Sequence, residues 1–418
     1  MKRLAFGLAV VAALAFAPQA FAAKTLVVDK DKVQCPKATF QSIQAAVTAA
    51  APGDTIKVCP DLYTESVTVN KPALTLVGAS MADGCTTLTA ADPTKDSIVT
   101  GGASFAFNLT NNNILLSGFV VQNSTIAIQT SASFSGYRIT DSIAQNNTQA
   151  GINFNSSGGT QSRIDHNCLR SNGNSGLQSE IGDLRNALVD HNSTYRNGFA
   201  GLDFSGAGAR AYVTVTANSS VEDGGAGVTM DNSTGTSVDH NNAQGTPRTF
   251  ATYGAISVGG ANNGLAINNN VVAGGVGNGI NFNQNNFFPI FAAANVGLNV
   301  IANSISHTAA SGIVAIGTAT MGSVNLSLFS GNSVSLSGID GIRLQASNTN
   351  NRIENNATDK NNRDGIRAEV GATSNTFTNN SAFLNVEFDM RDDNRPANVW
   401  SGNHCDTDSP PGSICGFS

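Results

Sequence analysis

The chain has 418 residues, a formal net charge of −6, and only 12% Asp, Glu, Lys and Arg. A mildly acidic chain with no basic stripe is a poor partner for nucleic acid. After residue 22, no apolar run is long enough to cross a bilayer.

Residues 1–22 read as a Sec signal peptide. Lys2 and Arg3 form the basic region, Leu4 to Ala17 the apolar core, and Ala20-Phe21-Ala22 a small-x-small cleavage site. The apolar run ends at Pro18, which argues against a membrane anchor. A secreted protein, periplasmic or extracellular, is expected, and six cysteines suit an oxidising compartment.

Residues 23–80 read as an N-terminal cap and first coil. Thr39 to Ala51 is the one convincing helix: Thr39 can cap it, Phe40, Ile43, Val47 and Ala50 make one stripe, and Pro52-Gly53 stops it. Cys35 and Cys59 flank this helix and are expected to pair. Cys405 and Cys415 are expected to pair in the Gly/Pro-rich tail, residues 399–418, which read as a C-terminal cap. Cys85 has no assigned partner and competes for Cys35 or Cys59.

Residues 81–398 are repetitive. Gly followed by a small or branched apolar residue recurs at Gly151, Gly176, Gly201, Gly227, Gly254, Gly279, Gly312, Gly341 and Gly365, with steps by subtraction of 25, 25, 26, 27, 25, 33, 29 and 24 residues. A degenerate tenth copy is read at Val386. Before each Gly lies apolar-x-x-Asn, as in Ile164 to Asn167 and Val189 to Asn192. A fixed period of this length signals a stacked repeat. Each period holds short runs of alternating apolar residues, divided by Asn, Gly and Ser, so the elements are strands and turns. About 24 residues at ~3.3 Å each make one coil of three strands. The expected fold is all-β: a single-stranded right-handed parallel β-helix, with the N-terminal amphipathic helix covering the open end of the core.

Stacking one coil on the next makes columns. Asn167, Asn192, Asn218, Asn241, Asn270, Asn303, Asn332, Asn356, Asn380 and Asn403 should form an amide ladder along the axis. The small residues after it, such as Cys168, Ser193, Ser304 and Ser333, are expected to point inward, with Cys168 a buried free thiol. Phe154, Phe204 and Phe282 alternate inward as core.

The stretch Phe40 to Val47, then Pro52-Gly53-Asp54-Thr55-Ile56, Tyr63-Thr64-Glu65 and Leu74 to Gly78 resembles the entry module of the pectin-lyase-like superfamily. The Asn-rich coils resemble the parallel β-helix repeats of bacterial proteins related to NosD and to alginate epimerases. Asp61-Leu62 departs from the Gly that often precedes the Thr-Tyr pair. The resemblance covers the chain from about Lys24 onward, and it implies a carbohydrate ligand. Fold alone does not fix function.

Three chemical constellations stand out. Asp-His-Asn occurs at Asp165-His166-Asn167, Asp190-His191-Asn192 and Asp239-His240-Asn241. Asp165 and Asp190 would stack about 4.8 Å apart with His166 and His191 beside them, a divalent-metal patch in which calcium is the expected ion. Otherwise Asp and His merely fill the positions before the ladder, as Asn268-Asn269 and Glu354-Asn355 do. The Gly-Ile strands present an outward column of Asn153, Gln178, Asp203, Thr229, Asn281, Arg343, Arg367 and Glu387, in which Asn153, Gln178, Asp203 and Asn281 are candidate sugar-binding positions. A neighbouring column holds Glu180, Asp231, Gln345, Glu369 and Asp389. Arg343 and Arg367 could hold a uronate carboxylate while Glu369 or Asp389 moves a proton. Stacked Arg and Glu also form plain cross-strand ion pairs.

Two readings follow. One is a lyase or epimerase acting on acidic polysaccharide, with calcium its only expected cofactor; the other is a non-catalytic adhesion or matrix-binding solenoid. Either expects a monomer with a polysaccharide partner. Long turns that could wall a groove occur only around Gln284 to Asn295 and Ala315 to Gly322.

Overall fold

A computed structural model describes residues 23–81, 84–102, 104–180, 182–282, 293–317 and 322–416. The signal-peptide reading lies outside these residues, as do most of the turn at 284–295 and half of that at 315–322. Every strand pair is parallel, and each strand bonds to its copy one coil away, as Ile164 does to Val189 and Ile152 to Leu177. Among the described residues the strands form three long sheets of 16, 14 and 14 members. One coil visits them in turn: Ser162–Asp165 in the first sheet, Cys168–Arg170 in the second, Leu177–Gln178 in the third.

The core is a single inward column of apolar side chains, with Ile139, Ile164, Val189, Val215, Val238, Ile267 and Val300 all fully buried on the first sheet. Phe154, Phe204 and Phe282 are buried on the third. The Asn ladder runs unbroken through all ten positions. Asn167 Nδ2 donates to Asn192 Oδ1 at 3.0 Å, and the chain of amide bonds ends with Asn380 donating to Asn403 at 3.0 Å. Each amide also reaches a main-chain carbonyl, as Asn167 does at Ile139. A buried corner of the backbone is thereby hydrogen-bonded throughout.

Several expectations change. The residues after the ladder face outward, since Ser304–Ser306 and Ser333–Ser335 run exposed, buried, half-buried. The Asn side chain already fills the inward corner, so alternation sends the next side chain to solvent. Cys168 is buried because residues around Cys85 and Ala91 lie over it, together with Ile98, Val120 and Ile143. It is bonded to Cys85 and is no free thiol. Arg170 fastens the same strap through the Thr87 and Thr89 carbonyls. Cys35 is bonded to Cys59, and Cys405 to Cys415.

The helix is shorter than its apolar stripe, spanning Ile43–Ala49 with Ser42 as N-cap. Phe40 bridges to Val28 in extended backbone, so Thr39 cannot cap it. Glu65 instead accepts from Ile43 N at 2.9 Å and Gln44 N at 3.0 Å, placing a carboxylate on the two first amides. Finally, the last Gly-Ile copy is Asp389-Met390: Met390 pairs with Ile366, while Val386 is 69% exposed. Val399–Ser401, His404–Cys405 and Asp408–Ser409 then extend the three sheets, so coiling continues into the segment read as a cap.

Candidate active site

The Asp-His-Asn copies sit where the first sheet turns into the second. His166, His191 and His240 hold the turn at φ of 55°, 55° and 52°. Asn355 and Asn379 fill the same turn position at 57° and 54°. His and Asn tolerate this left-handed backbone better than most residues. Asp165 and Asp190 are in register. Guanidinium groups lie between them: Arg163 donates to Asp190 at 2.8 and 2.6 Å and lies 3.9 Å from Asp165, while Arg138 reaches Asp165 at 3.3 Å. Burial opposes ionisation of Asp190, but Arg163 and His191 hold it below the usual carboxylate range. The His166 and His191 rings stack at 5.1 Å, each with Nδ1 on its own Asp. The positive charge expected from a cation is therefore supplied by arginine.

The C-terminal end of the third sheet is an arginine ladder. Arg343 pairs with Arg367, and Arg367 with Arg391, the residue that stands where Glu387 was expected. Arg343 meets Glu369 at 2.6 Å and Asp340 at 3.6 Å, and Arg367 meets Asp393 at 3.0 Å and Asp364 at 3.5 Å. Arg363 also binds Asp340. Asp364 is pushed up to about 6, first by burial and then by Asp340, against the pull of three arginines. Asp389 does not join this network. It is buried, and its oxygens accept from Asn385, Asp406 and Thr407, so that it ends a second corner run in which Asn361 donates to Asn385.

The middle of the same sheet differs in kind. Asn153, Gln178, Asp203, Thr229, Ser257 and Asn281 form one continuous column. Asp203, 1% exposed, accepts from Ser205 N at 3.0 Å, Ser205 Oγ at 2.6 Å, Thr229 Oγ1 at 2.5 Å and Ser175 Oγ at 3.4 Å. Two residues further along their strands, on the same face, stand Glu180 and Asp231. Burial and then the charge of Asp203 raise the Glu180 carboxyl, which also hydrogen-bonds Asp203. Asp231 is pushed up to about 7 by burial and by Asp203, although Gly259 N donates to it at 2.7 Å. A Cβ on Gly259 would fall 2.0 Å from that carboxylate, so only glycine lets the amide approach.

Arg210 is the buried counter-charge. It is 1% exposed, and its Nη groups donate to the Ser205, Gly206 and Gly208 carbonyls, binding the loop that carries Ser205. Its guanidinium lies in the field of Asp231, Asp203, Asp183 and Glu180. Beside the acids, Phe199, Phe250 and Tyr253 pack edge to face, with ring centroids 5.2 to 6.2 Å apart. Burial, Asp203 and Asp231 push the Tyr253 hydroxyl up to about 12. Phe250 is 41% exposed, an aromatic face at the rim of an acid cluster. Sequence reading found Glu180, Asp203 and Asp231 but assigned them to separate columns. Tyr253 has one ring partner close in the chain, Phe250, and one, Phe199, that only the stacking of coils brings to it.

No protein-family model matches this chain, and no curated protein does. Solved structures do match in fold. A mannuronic acid specific polysaccharide family 6 lyase from human gut microbiota aligns over 94% of this chain and 89% of its own, at 12% identity and a TM-score of 0.53. DFA-IIIase of Arthrobacter chlorophenolicus A6, in complex with DFA-III, aligns over 86% of this chain and 92% of its own, at 14% identity and a TM-score of 0.51. Likeness at this identity establishes the architecture: the chain is a right-handed parallel β-helix.

Proposed function

We propose that this chain processes a polysaccharide on the outward face of its third sheet, with chemistry centred on Glu180, Asp203 and Asp231. The observation that carries this reading is that three carboxylates share one face, where burial and the charge of Asp203 hold Glu180 and Asp231 toward the protonated form. Carboxyl groups whose environments separate their proton affinities can divide the work of acid and base. Glu180 or Asp231 donates a proton to the leaving glycosidic oxygen, and Asp203, fixed by Ser205 and Thr229, serves as the facing carboxylate. Gln178, Asn153 and Asn281 extend the column on either side and would take neighbouring sugar hydroxyls. Phe250 offers a ring face to a pyranose or furanose.

The same geometry favours a neutral sugar at the acid cluster over a uronate, whose carboxylate would add to a crowded negative site. The uronate reading rested on Arg343 and Arg367, and both guanidiniums already have carboxylate partners. The family 6 lyase, by its name, acts on a mannuronic acid polysaccharide, which supports the substrate class. We place the protein outside the cytoplasm on its three disulfides.

The test is product analysis by chromatography on panels of neutral and uronate polysaccharides, comparing wild type with Asp203→Asn. Turnover by wild type that the variant loses supports the proposal. Saturable binding with no product from any panel member would favour the matrix-binding alternative, and full activity in Asp203→Asn would end the catalytic assignment.

A further inference from the structure

A second group of carboxylates lies at the opposite end of the molecule from the arginine ladder, where the coil begins. Asp29 follows the first strand, Thr25–Val28, and Asp61 opens the strand Asp61–Thr64. Asp31 lies between them on an exposed turn. One carboxylate oxygen from each of the three lies within 4.8 Å of the others. Asp29 is 0% exposed. One of its oxygens accepts from Cys35 N at 2.5 Å, and the other is buried without a hydrogen-bond partner. Asp61 repeats this pattern: Oδ1 accepts from Leu62 N at 2.6 Å and Oδ2 is buried and unpartnered. Two orphaned carboxylate oxygens in one small volume are costly unless something cationic meets them.

No such group is present among the described residues, because no ion pair involves Asp29, Asp31 or Asp61. Lys30 is next in sequence, but its Nζ donates to the Leu62 carbonyl at 2.9 Å. The cluster therefore contrasts with Asp165 and Asp190, whose oxygens are filled by arginine. We propose that Asp29, Asp31 and Asp61 hold a calcium ion that joins the end of the first strand to the start of the Asp61 strand.

The choice of ion follows from the donors. Calcium takes oxygen ligands at about 2.3–2.6 Å, so two ligands of one ion lie at most about 5 Å apart. The observed spread meets that limit. Magnesium demands near-octahedral geometry at about 2.1 Å and gives up its waters reluctantly, so a set of three protein carboxylates suits it less well. Zinc would want thiolates, and the nearest sulfurs, Cys35 and Cys59, are joined in a disulfide. That disulfide already ties the Asp29 to Cys35 turn to the residue ahead of the Asp61 strand, so the carboxylates are pre-positioned. An ion bound only to the folded chain raises its thermal stability by mass action.

The full mature chain, stripped with EDTA and dialysed, should be titrated with calcium chloride by calorimetry, alongside melting curves. The expected result is one site that raises the Tm, with magnesium at the same concentration giving a smaller shift. Asp61→Asn should abolish that site, and the exposed Asp31→Asn should weaken it by about tenfold. Asp203→Asn should leave it intact, because the acid cluster on the third sheet is a different place. Asp31→Asn keeps the test open even where Asp29→Asn does not fold. Absence of calcium binding, binding that survives Asp31→Asn and Asp61→Asn unchanged, or binding lost in Asp203→Asn would each overturn the proposal.

Discussion

Two regions of one sheet, its middle and its C-terminal end, use the same column for opposite purposes. Around Asp203 the third sheet carries Glu180 and Asp231, which burial and the charge of Asp203 push toward the protonated form. Five coils away, the column carries Arg343, Arg367 and Arg391, each answered by an acid from its own or the next coil. Both regions bury carboxylates. At the arginine end the charges are arranged for stability: Asp340 and Asp364 are fully buried yet face two arginines each. Around Asp203 the Arg210 guanidinium gives its hydrogens to main-chain carbonyls, and burial raises the proton affinity of Glu180 and Asp231. A cluster of carboxyl groups shifted in this way marks a candidate reaction centre.

The sharpest way to break this comparison is to neutralise one residue in each region. Asp203→Asn keeps the shape and the hydrogen bonds from Ser205 but removes the facing carboxylate, so kcat should fall about 1000-fold with little change in melting temperature. Arg367→Ala should do the reverse. It strips a partner from Asp364 and Asp393, and removing one member of a buried ionic network costs about 3 kcal/mol. Chemical denaturation should show that loss, while activity on the panel polysaccharide should fall far less than in Asp203→Asn. If Arg367→Ala instead abolishes turnover in a folded protein, the arginine ladder is the reaction centre and the two regions have been assigned the wrong way round.

A smaller effect separates the two regions by pH. Asp231 is pushed up to about 7 in the folded chain, above its ordinary value of 3.8. The folded state therefore binds that proton more tightly than the unfolded state. Its stabilising contribution is complete below about pH 4 and is lost as pH rises to 7. Asp231→Asn should flatten the decline of Tm between pH 4 and 8, and turnover that uses the proton should fall above pH 7. Asp190 has the opposite sign: held low by Arg163, it contributes above the ordinary carboxylate value and loses that contribution on acidification.

The architecture was legible because period, ladder and core are all local patterns repeated. Asn167 through Asn403 could be aligned by eye, and the amide bonds fall on those residues. Facing direction was less legible. The residue after each ladder Asn was placed inward because small side chains fit a crowded interior, yet small side chains also suit a bare outer face. Only the corner taken by the Asn decides between them. Cys168 misled for a related reason, since its burial comes from a strap contributed by Cys85, 83 residues earlier. At the site, residue types could be read from the columns, but charge compensation could not. Arg163 and Arg210 are both arginines on the first sheet, and only the fold reveals that one neutralises carboxylates while the other binds a loop. Likewise, Phe199 and Tyr253 meet only because two coils stack.

That aromatic group gives the finest test of the comparison, because the ring beside the arginine column, Phe388, already carries the Arg391 guanidinium 5.7 Å from its centroid, whereas Phe250 packs only against other rings among the described residues. Phe250 is partly exposed, and its ring contacts Phe199 and Tyr253 at 6.2 Å each. Truncation to alanine should leave the edge-to-face pair of Phe199 and Tyr253 standing, so the fold survives. An aromatic contact contributes about 0.5–1.5 kcal/mol beyond its buried area, which corresponds to a rise in KM of about 2- to 10-fold. Because the ring lies at the rim, the loss should appear in KM with kcat nearly unchanged, the pattern of removing binding common to ground and transition states. Phe250→Tyr should restore most of it, since a stacking face is retained. A fall in kcat with KM unaltered would mean that the ring orients the carboxylates instead of the sugar, and the acid region would then extend to the aromatic trio.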